Sequence, residues 1–244
     1  MMPTKNEINR KNRGEVSEKE LNMFSAHTDN ELIEFLKSTK PTQRTCAAII
    51  LGDRKSEVAI DALCQALKTE KSLYSKIAIS EALGQIGISA LPSLMKLLGK
   101  IGNNQHKNLP EKAFEKKSYP LPRDIVARTV TKIGESALVI LIDSAPGLNK
   151  ESLSEAIDAI GFISYYSKNL SAWDILKKLF EVYKNDDLIS WKLIRAMQAF
   201  PLKETIEILE YQKNNHCKIA IRKEAERSIA QIQTRKFDIS FSGD

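Results

Sequence analysis

The sequence predicts an all-α protein built from a row of similar helix pairs. Glycine and proline are scarce, with 10 and 8 among 244 residues, and few helix breakers favour helices over turn-rich β-structure. Apolar residues make up 42% and charged residues 28% of the chain, which is typical of globular proteins and excludes a wholly disordered chain. The third observation is a helical pattern that recurs six times along the chain, and such a repeat determines the architecture.

The recurring pattern is defined relative to one position in each copy, which we call the anchor. The residues five and one before the anchor are apolar in all six copies, and the residue two before it is small in five. Positions spaced by three, four and seven residues share one face of an α-helix, so each copy predicts a helix around its anchor. The anchors are Gly52, Gly84, Thr131, Gly161, Gln198 and Ala230.

A second apolar pattern comes before each anchor and predicts another amphipathic helix there. Each copy is therefore a helix pair of about 30 residues, which cannot bury its apolar side without a neighbouring pair. We call the members of a pair the first and the second helix. The first helices are identified by Leu32, Ile60, Leu91, Leu138, Trp173 and Ile206.

The pairs divide the chain into three parts. Residues 27–235 carry the repeats, and an insert at residues 100–122 lengthens the third pair. Residues 1–26 are polar, and we expect partial disorder with a short capping helix at Glu18–Phe24. Residues 236–244 are expected to form a frayed tail.

Two short motifs relate the repeats to a known family. Residues 90–94 read Ala-Leu-Pro-Ser-Leu in a first helix, and residues 82–87 read Ala-Leu-Gly-Gln-Ile-Gly in a second helix. A basic residue also recurs eight positions before the anchor in four copies: Arg44, Lys76, Arg123 and Arg222.

These motifs resemble the HEAT-repeat family, in particular its short-repeat branch also found in phycobilin lyases. The resemblance covers about residues 28–235 and implies an α-solenoid whose second helices line a concave surface. It implies little about function, because the family includes scaffolds, lyases and nucleic-acid binders.

The compartment follows from what the sequence lacks. The longest apolar run, residues 46–51, has six residues, far fewer than the ~20 needed to span a bilayer. The first 20 residues are polar and do not form a signal peptide. Three widely spaced cysteines, Cys46, Cys64 and Cys217, suit a reducing compartment better than a disulfide framework. We therefore expect a cytoplasmic protein without membrane contact.

Catalytic and metal-binding motifs are not found in the sequence. The histidines are scattered, and His216 beside Cys217 has no second ligand pair, whereas metal sites need three or four ligands. No phosphate-binding glycine loop, nucleophile elbow or kinase signature occurs. The sequence predicts a non-enzymatic protein without cofactor or metal.

The positions seven and three before each anchor point away from the predicted core. On this face we expect an ion pair between Asp124 and Arg128, and a guanidinium of Arg195 stacked on the indole of Trp191. Lys223 and Arg227 would form a like-charge pair that a bound anion relieves. The alternative is a mixed solvent-exposed face. The predicted binding residues of this face, which we call the ridge, are Ile49, Ile77, Arg128, Asp158, Trp191, Arg195, Lys223 and Arg227.

The insert is the second candidate site. Between Lys100 and Arg123 it carries six basic and two acidic residues, and basic side chains interleaved with aromatics can hold phosphate and stack on a base. The alternative is a solvated insertion with Phe114 packed on the solenoid edge. A second basic stretch, from Lys213 to Lys236, is explained by the polar outer face that a terminal repeat needs. The predicted binding residues of the insert are Lys107, Lys112, Phe114, Lys116, Lys117 and Tyr119.

The leading functional hypothesis is an interaction or scaffold module that binds a protein or peptide partner on the concave surface. Trp191, Ile49 and Ile77 would be its main contact residues. The alternative is nucleic-acid binding through the cationic ridge and insert, by analogy with HEAT-like DNA glycosylases that use Trp, Arg and Asp residues, here Trp191, Arg195 and Asp158. The resemblance alone also suggests lyase-like binding of a tetrapyrrole, although the ridge has no Cys or His. Self-association through the convex face is a weaker possibility.

Overall fold

The computed structural model of the protein describes residues 5–111 and 118–240, with side chains for residues 6–111 and 118–235. The described residues form fourteen α-helices and four short 3₁₀ turns, and no strand occurs among them. They belong to two compact units, Met1–Leu97 (unit 1) and Leu98–Asp244 (unit 2). Four predicted insert residues lie outside the described parts of the chain: Lys112, Phe114, Lys116 and Lys117.

Unit 1 holds seven of the α-helices, and 3₁₀ turns precede its fifth and seventh helices. The helices are α1 (Lys5–Asn12), α2 (Glu18–Phe24), α3 (Asp29–Phe35), α4 (Pro41–Asp53), α5 (Ile60–Thr69), α6 (Leu73–Ile86) and α7 (Leu91–Met95).

Unit 2 holds the other seven α-helices, with 3₁₀ turns directly before and after its second one. The helices are α8 (Ile125–Ile133), α9 (Leu138–Ser144), α10 (Lys150–Ser167), α11 (Trp173–Tyr183), α12 (Asp187–Met197), α13 (Lys203–Asn215) and α14 (Ile219–Ser240).

All six predicted helix pairs are present, from α3 with α4 to α13 with α14. Within unit 1 the second helices α4 and α6 pack together, and within unit 2 the second helices pack in the order α8, α10, α12 and α14. This stacking of second helices confirms the predicted fold class, an all-α solenoid of helix pairs. The third pair has its first helix in unit 1 and its second helix in unit 2.

The core lies where the repeat pattern places it. The residues five and one before the anchors are all buried, and none is more than 5% exposed. They come from all six second helices: Ala47, Leu51, Ile79, Leu83, Val126, Val130, Ala156, Ile160, Leu193, Met197, Ala225 and Ile229.

The small residue two before each anchor is the point where neighbouring second helices touch. A Cβ atom added at Gly52 on α4 would lie 2.6 Å from the Cα atom of Ala82 on α6. In unit 2, the hydroxyl of Ser228 on α14 donates to the carbonyl oxygen of Ile194 on α12 at 3.1 Å. A large side chain at this position would force the two helices apart.

In two of its four copies, the recurring basic residue holds the hairpin loop of its own pair. Arg44 Nη1 donates to the carbonyl oxygen of Ser38 at 2.7 Å, and Arg222 Nη1 donates to that of His216 at 3.0 Å. In both pairs the acceptor lies in the loop between the two helices, six residues earlier. Arg44 also forms an ion pair with the buried Glu70 at 2.7 Å, so the loop is tied to the next pair as well.

The N-terminal segment is more ordered than the sequence suggests. Helix α2 occupies the residues predicted to form a capping helix, and Ser17 and Glu20 form a capping box at its start. Lys11 of α1 pairs with Glu20, and this contact, together with the Ser17 hydrogen bonds, lowers the pKa of Glu20 to about 2. The carbonyl oxygen of Arg13 accepts from the backbone N–H of Tyr74 at 3.0 Å, which attaches the segment to α6.

One stretch of the described chain, Leu73–Met95, is long and apolar enough to cross a membrane. Half of it is buried inside the protein, and α6 ends within it at Gly87, which has a positive φ. By length and composition alone this is weak evidence for a membrane segment.

We predict that Gly52→Ala lowers the free energy of unfolding by about 1–3 kcal/mol, because the added methyl group meets the backbone of α6. The measurement is urea denaturation followed by circular dichroism. Gly147→Ala is the matched control, since nothing lies within 4 Å of its added methyl group. Equal effects of the two substitutions would show that the helices do not approach closely at Gly52.

Candidate functional site

The ridge of unit 1 keeps an accessible apolar surface. Ile77 on α6 is 42% exposed and Leu73, one turn earlier, is 43% exposed. Ile49 on α4 is half-buried. Ile77 is therefore exposed and Ile49 is partly accessible, and both are predicted apolar binding residues of the ridge.

Three ridge residues of unit 2 are buried, which corrects the prediction that they are exposed. Trp191 is 1%, Arg195 4% and Asp158 5% exposed. The predicted stacking between two of them is confirmed, because the guanidinium of Arg195 lies 3.8 Å from the centre of the Trp191 ring. The three residues contact the protein itself and leave little surface for a partner.

The described residues of the insert contribute to this burial, since they pack against the second helices of unit 2. The ring of His106 meets Trp191 edge-on, with centroids 5.1 Å apart. Gln105 donates to Asp124 at 2.7 Å. Tyr119 is 3% exposed and fits against Gly161, where an added Cβ would lie 1.9 Å from its hydroxyl oxygen.

These contacts correct the predicted role of Tyr119. The sequence suggested that its ring stacks on a nucleic-acid base, but the ring is buried against α10, where it contacts the rings of Phe162 and Tyr165. The anchor glycine of the fourth pair makes this possible, because any side chain at Gly161 would occupy the same space. Lys107 remains exposed, as expected.

The predicted pairings of the remaining ridge cations are also different. Asp124 accepts from the backbone N–H of Ala127 at 2.8 Å and caps α8, so its expected ion pair with Arg128 is not formed. Arg128 is exposed and donates instead to the carbonyl oxygen of Pro122 at 2.6 Å. N-capping accounts for the change, because an aspartate just before a helix satisfies its free N–H groups.

The expected like-charge pair of α14 is relieved within the chain. Arg227 Nε donates to Glu224 at 2.9 Å, and Arg195 lies 3.4 Å from the same carboxylate. Lys223 is exposed. Arg227 therefore has a carboxylate partner within the chain.

A buried lysine on α12 is the centre of a second ion cluster. Lys192 is 0% exposed, and its Nζ atom lies 2.8 Å from Glu155 Oε1 and 2.9 Å from Asp158 Oδ2. Its third donor goes to the carbonyl oxygen of Ser154 at 3.1 Å. The lysine is fully hydrogen-bonded, but Glu155 Oε2 and Asp158 Oδ1 have no hydrogen-bond partner among the described residues.

Sequence reasoning missed Glu155, Lys192 and Glu224, although a signal was present. The three residues lie six positions before the anchors of the fourth, fifth and sixth pairs. Their charges alternate in sign from one second helix to the next, and neighbouring second helices pack together. In unit 1 the positions six before the anchors hold Cys46 and Ala78, which are buried core residues. Because this position is apolar in unit 1 and charged in the last three pairs, a pattern shared by all six copies did not reveal it.

A cavity of about 530 Å³ lies beside this cluster. Its wall is formed by the start of the insert and the first turns of α10. Lysine side chains at its rim are exposed, whereas Ser154 and Glu155 are 3% and 1% exposed. The lining residues that matter below are Lys100, His106, Lys107, Lys150, Ser154 and Glu155.

Burial shifts the two titratable groups of the cavity in opposite directions. It raises the pKa of Glu155 to about 7, with Asp158 adding to the shift and Lys192 opposing it. Burial also lowers the pKa of His106 to about 4, and Arg123 and Arg195 act in the same direction. His106 is therefore neutral at pH 7, as its packing on Trp191 and Arg195 requires.

Among the described residues, no three His, Cys, Asp or Glu side chains are grouped closely enough to hold a metal ion.

No protein-family model matches the sequence, and no curated protein matches it either. Among solved structures, a designed armadillo repeat protein is 15% identical, with 84% of this chain and 100% of that chain covered and a TM-score of 0.37. An engineered protein is 18% identical, with coverages of 85% and 99% and a TM-score of 0.39. Both likenesses are too weak to add to the fold that the helices themselves show, and the HEAT resemblance stays a prediction.

We predict that Lys192→Met destabilises the protein by about 3–5 kcal/mol, because two buried carboxylates lose their shared cation. Lys177→Met is the matched control, since Lys177 pairs with Glu204 where the two side chains are 44% and 46% exposed, and surface pairs contribute about 0–1 kcal/mol. Urea denaturation gives both values. Similar losses in the two variants would contradict a structural role for the buried cluster.

His106 should make the folded protein sensitive to acid. Its pKa is about 4 when folded and 6.5 for a free histidine, so the unfolded chain binds the proton first and stability falls as the pH drops from 6.5 to 4. We predict that His106→Phe, which keeps a ring against Trp191, removes this contribution. The free energy of unfolding, measured across this pH range, then falls less steeply in the variant. Parallel profiles would show that His106 does not titrate with folding.

Proposed function

We propose that this protein is a non-enzymatic interaction module of the HEAT type, which binds an extended segment of a protein or peptide partner along the ridge side of its second helices. The observation that supports this proposal is the insert itself. In unit 2 the described residues of the insert are non-helical, and they reach this face, where His106 packs on Trp191. The face is thus suited to an extended chain.

The contacts of the insert indicate how such a chain is held. An aromatic ring, that of Tyr119, fits the gap left by Gly161 on α10. Side chains of the second helices donate to backbone carbonyl oxygens of the insert, as Arg128 does to Pro122 and Tyr166 does to Tyr119. Apolar anchors combined with backbone hydrogen bonds are the usual way to hold an extended peptide.

Unit 1 offers the accessible surface for a partner. Leu73 and Ile77 are exposed on adjacent turns of α6, and residues four apart in a helix share one face. Ile49 on α4 belongs to the same predicted ridge and is half-buried. We therefore expect the partner segment to place a large apolar side chain against Ile77, since such side chains dominate binding energies.

The nucleic-acid alternative relies on the cationic ridge and on the basic insert. The ridge gives it less support than expected, because Arg195 and Arg227 lie against Glu224 and Arg128 donates to a carbonyl oxygen. Three of the insert lysines lie outside the described residues. Lys223 and Lys107 stay exposed, as surface lysines usually do. Nucleic-acid binding is therefore kept as an outcome of the test.

The test is a selection of displayed random peptides on the full-length protein, followed by fluorescence anisotropy with the enriched peptides. We predict that Ile77→Asp weakens the binding of these peptides at least tenfold, because a charge replaces the apolar contact. Val182→Asp is the matched control. Val182 is 73% exposed on α11, a first helix that the ridge does not include, so its substitution leaves affinity unchanged.

Two results would contradict the proposal. One is enrichment of peptides whose affinity is the same for the wild type and Ile77→Asp. The other is failure to enrich any peptide while the protein retains DNA or RNA at about 50 mM salt and releases it steeply as salt rises, which is the behaviour of phosphate-dominated binding.

A further inference from the structure

The cavity beside the insert is large enough for a small molecule. Its volume of about 530 Å³ falls within the range of about 300–1,000 Å³ that is typical of ligand pockets. It lies entirely within unit 2, between the insert and α10. None of its lining residues belongs to unit 1, which holds Ile77, so the inference below does not depend on the function proposed above.

The wall of this cavity contains a buried carboxylate with one free oxygen. Glu155 is 1% exposed, and its Oε1 atom accepts from Lys192 at 2.8 Å. Its Oε2 atom has no hydrogen-bond partner among the described residues. A buried polar atom without a partner is costly, and a ligand that supplies a donor to it gains that energy.

The charges around Glu155 favour a cationic group there. Glu155 and Asp158 both pair with the ammonium group of Lys192, so two carboxylates face that one group. His106 does not supply a second positive charge, because burial keeps its imidazole neutral at pH 7. At pH 7 a proton neutralises Glu155 in part of the molecules, since burial raises its pKa to about 7.

The rim of the cavity has the opposite polarity. Lys100, Lys107 and Lys150 line it and are exposed, with Glu151 among them. Lys150 pairs with Asp186. Lysine side chains at the mouth of a pocket repel a simple cation and attract an anionic group.

We propose that this cavity binds a small zwitterion, whose ammonium or guanidinium group pairs with Glu155 and whose carboxylate or phosphate group lies among the rim lysines. A simple anion would leave Glu155 unsatisfied, and a simple cation would gain nothing at the rim. A molecule with both charges meets both ends of the site.

The test uses the full-length protein and ω-amino acids from β-alanine to 6-aminohexanoate as probes. Binding is measured by isothermal titration calorimetry and by the fluorescence of Trp191, which packs on the cavity residue His106. The best probe is compared with the amine and the carboxylic acid of the same chain length. We expect the zwitterion to bind at least tenfold more tightly than either single-charge analogue.

Substitutions locate the cationic end. Glu155→Gln, which keeps the shape but removes the charge, should weaken the zwitterion at least tenfold. Glu151→Gln is the matched control, because Glu151 lines the same cavity but is exposed, and it should leave affinity within about twofold. Circular dichroism shows whether each variant is folded.

The pH dependence of the wild type provides a test that needs no variant. Affinity should fall as the pH drops through 7, because Glu155 takes up a proton and no longer attracts a cation. The charged groups that face Glu155 are Lys192 on α12, Asp158 on α10 and Asp124 before α8. Lys192 and Asp158 remain bonded to each other at 2.9 Å.

Three results would overturn the proposal. The first is that none of the zwitterions binds at about 10 mM, a concentration well above the Kd of a weak specific site. The second is that the carboxylic acid alone binds as tightly as the zwitterion and Glu155→Gln keeps that affinity, which would indicate an anion site at the rim. The third is an affinity that does not change, or that rises, as the pH falls through 7.

Discussion

The structure depends on the close approach of successive second helices. A single helix pair exposes one apolar side, and only a neighbouring pair can cover it. The pairs meet where a small residue two before one anchor faces the preceding second helix, as Ala82 faces Gly52. Close contact at this point buries the apolar positions five and one before every anchor. The regular spacing of the core residues, the arginine contacts to the hairpin loops and the position of the ridge all follow from this close contact.

In unit 2 the same approach determines where charges can lie. Stacked repeats bring equivalent positions into contact, so a charge six before one anchor meets its counterpart on the next helix. Glu155 on α10 therefore reaches Lys192 on α12. The charge six before the last anchor, Glu224 on α14, pairs instead with Arg195, which lies three before the anchor of α12. Charges of one sign at contacting positions would repel in a medium of low polarity, so opposite signs on neighbouring second helices are the arrangement that such a stack can tolerate.

The sequence was sufficient for the fold and insufficient for the site. The period of the apolar residues predicted all six pairs, because burial of one helix face is a local property that one window of sequence records. The same period placed Trp191 and Arg195 on one turn, and their stacking is confirmed at 3.8 Å. Their burial could not be predicted, because it depends on where residues 100–122 return to the stack. That return is a long-range contact between Tyr119 and Gly161, which no periodicity encodes.

The insert also changes the chemistry of the face that it covers. By excluding water, it shifts the pKa of Glu155 upward and that of His106 downward. Acidification from about 7 towards 4.5 favours the folded state through Glu155, because the folded carboxyl binds its proton first. From 6.5 to about 4 it disfavours the folded state through His106. The two contributions oppose each other where the ranges overlap, so their sum changes less with pH there than either contribution alone.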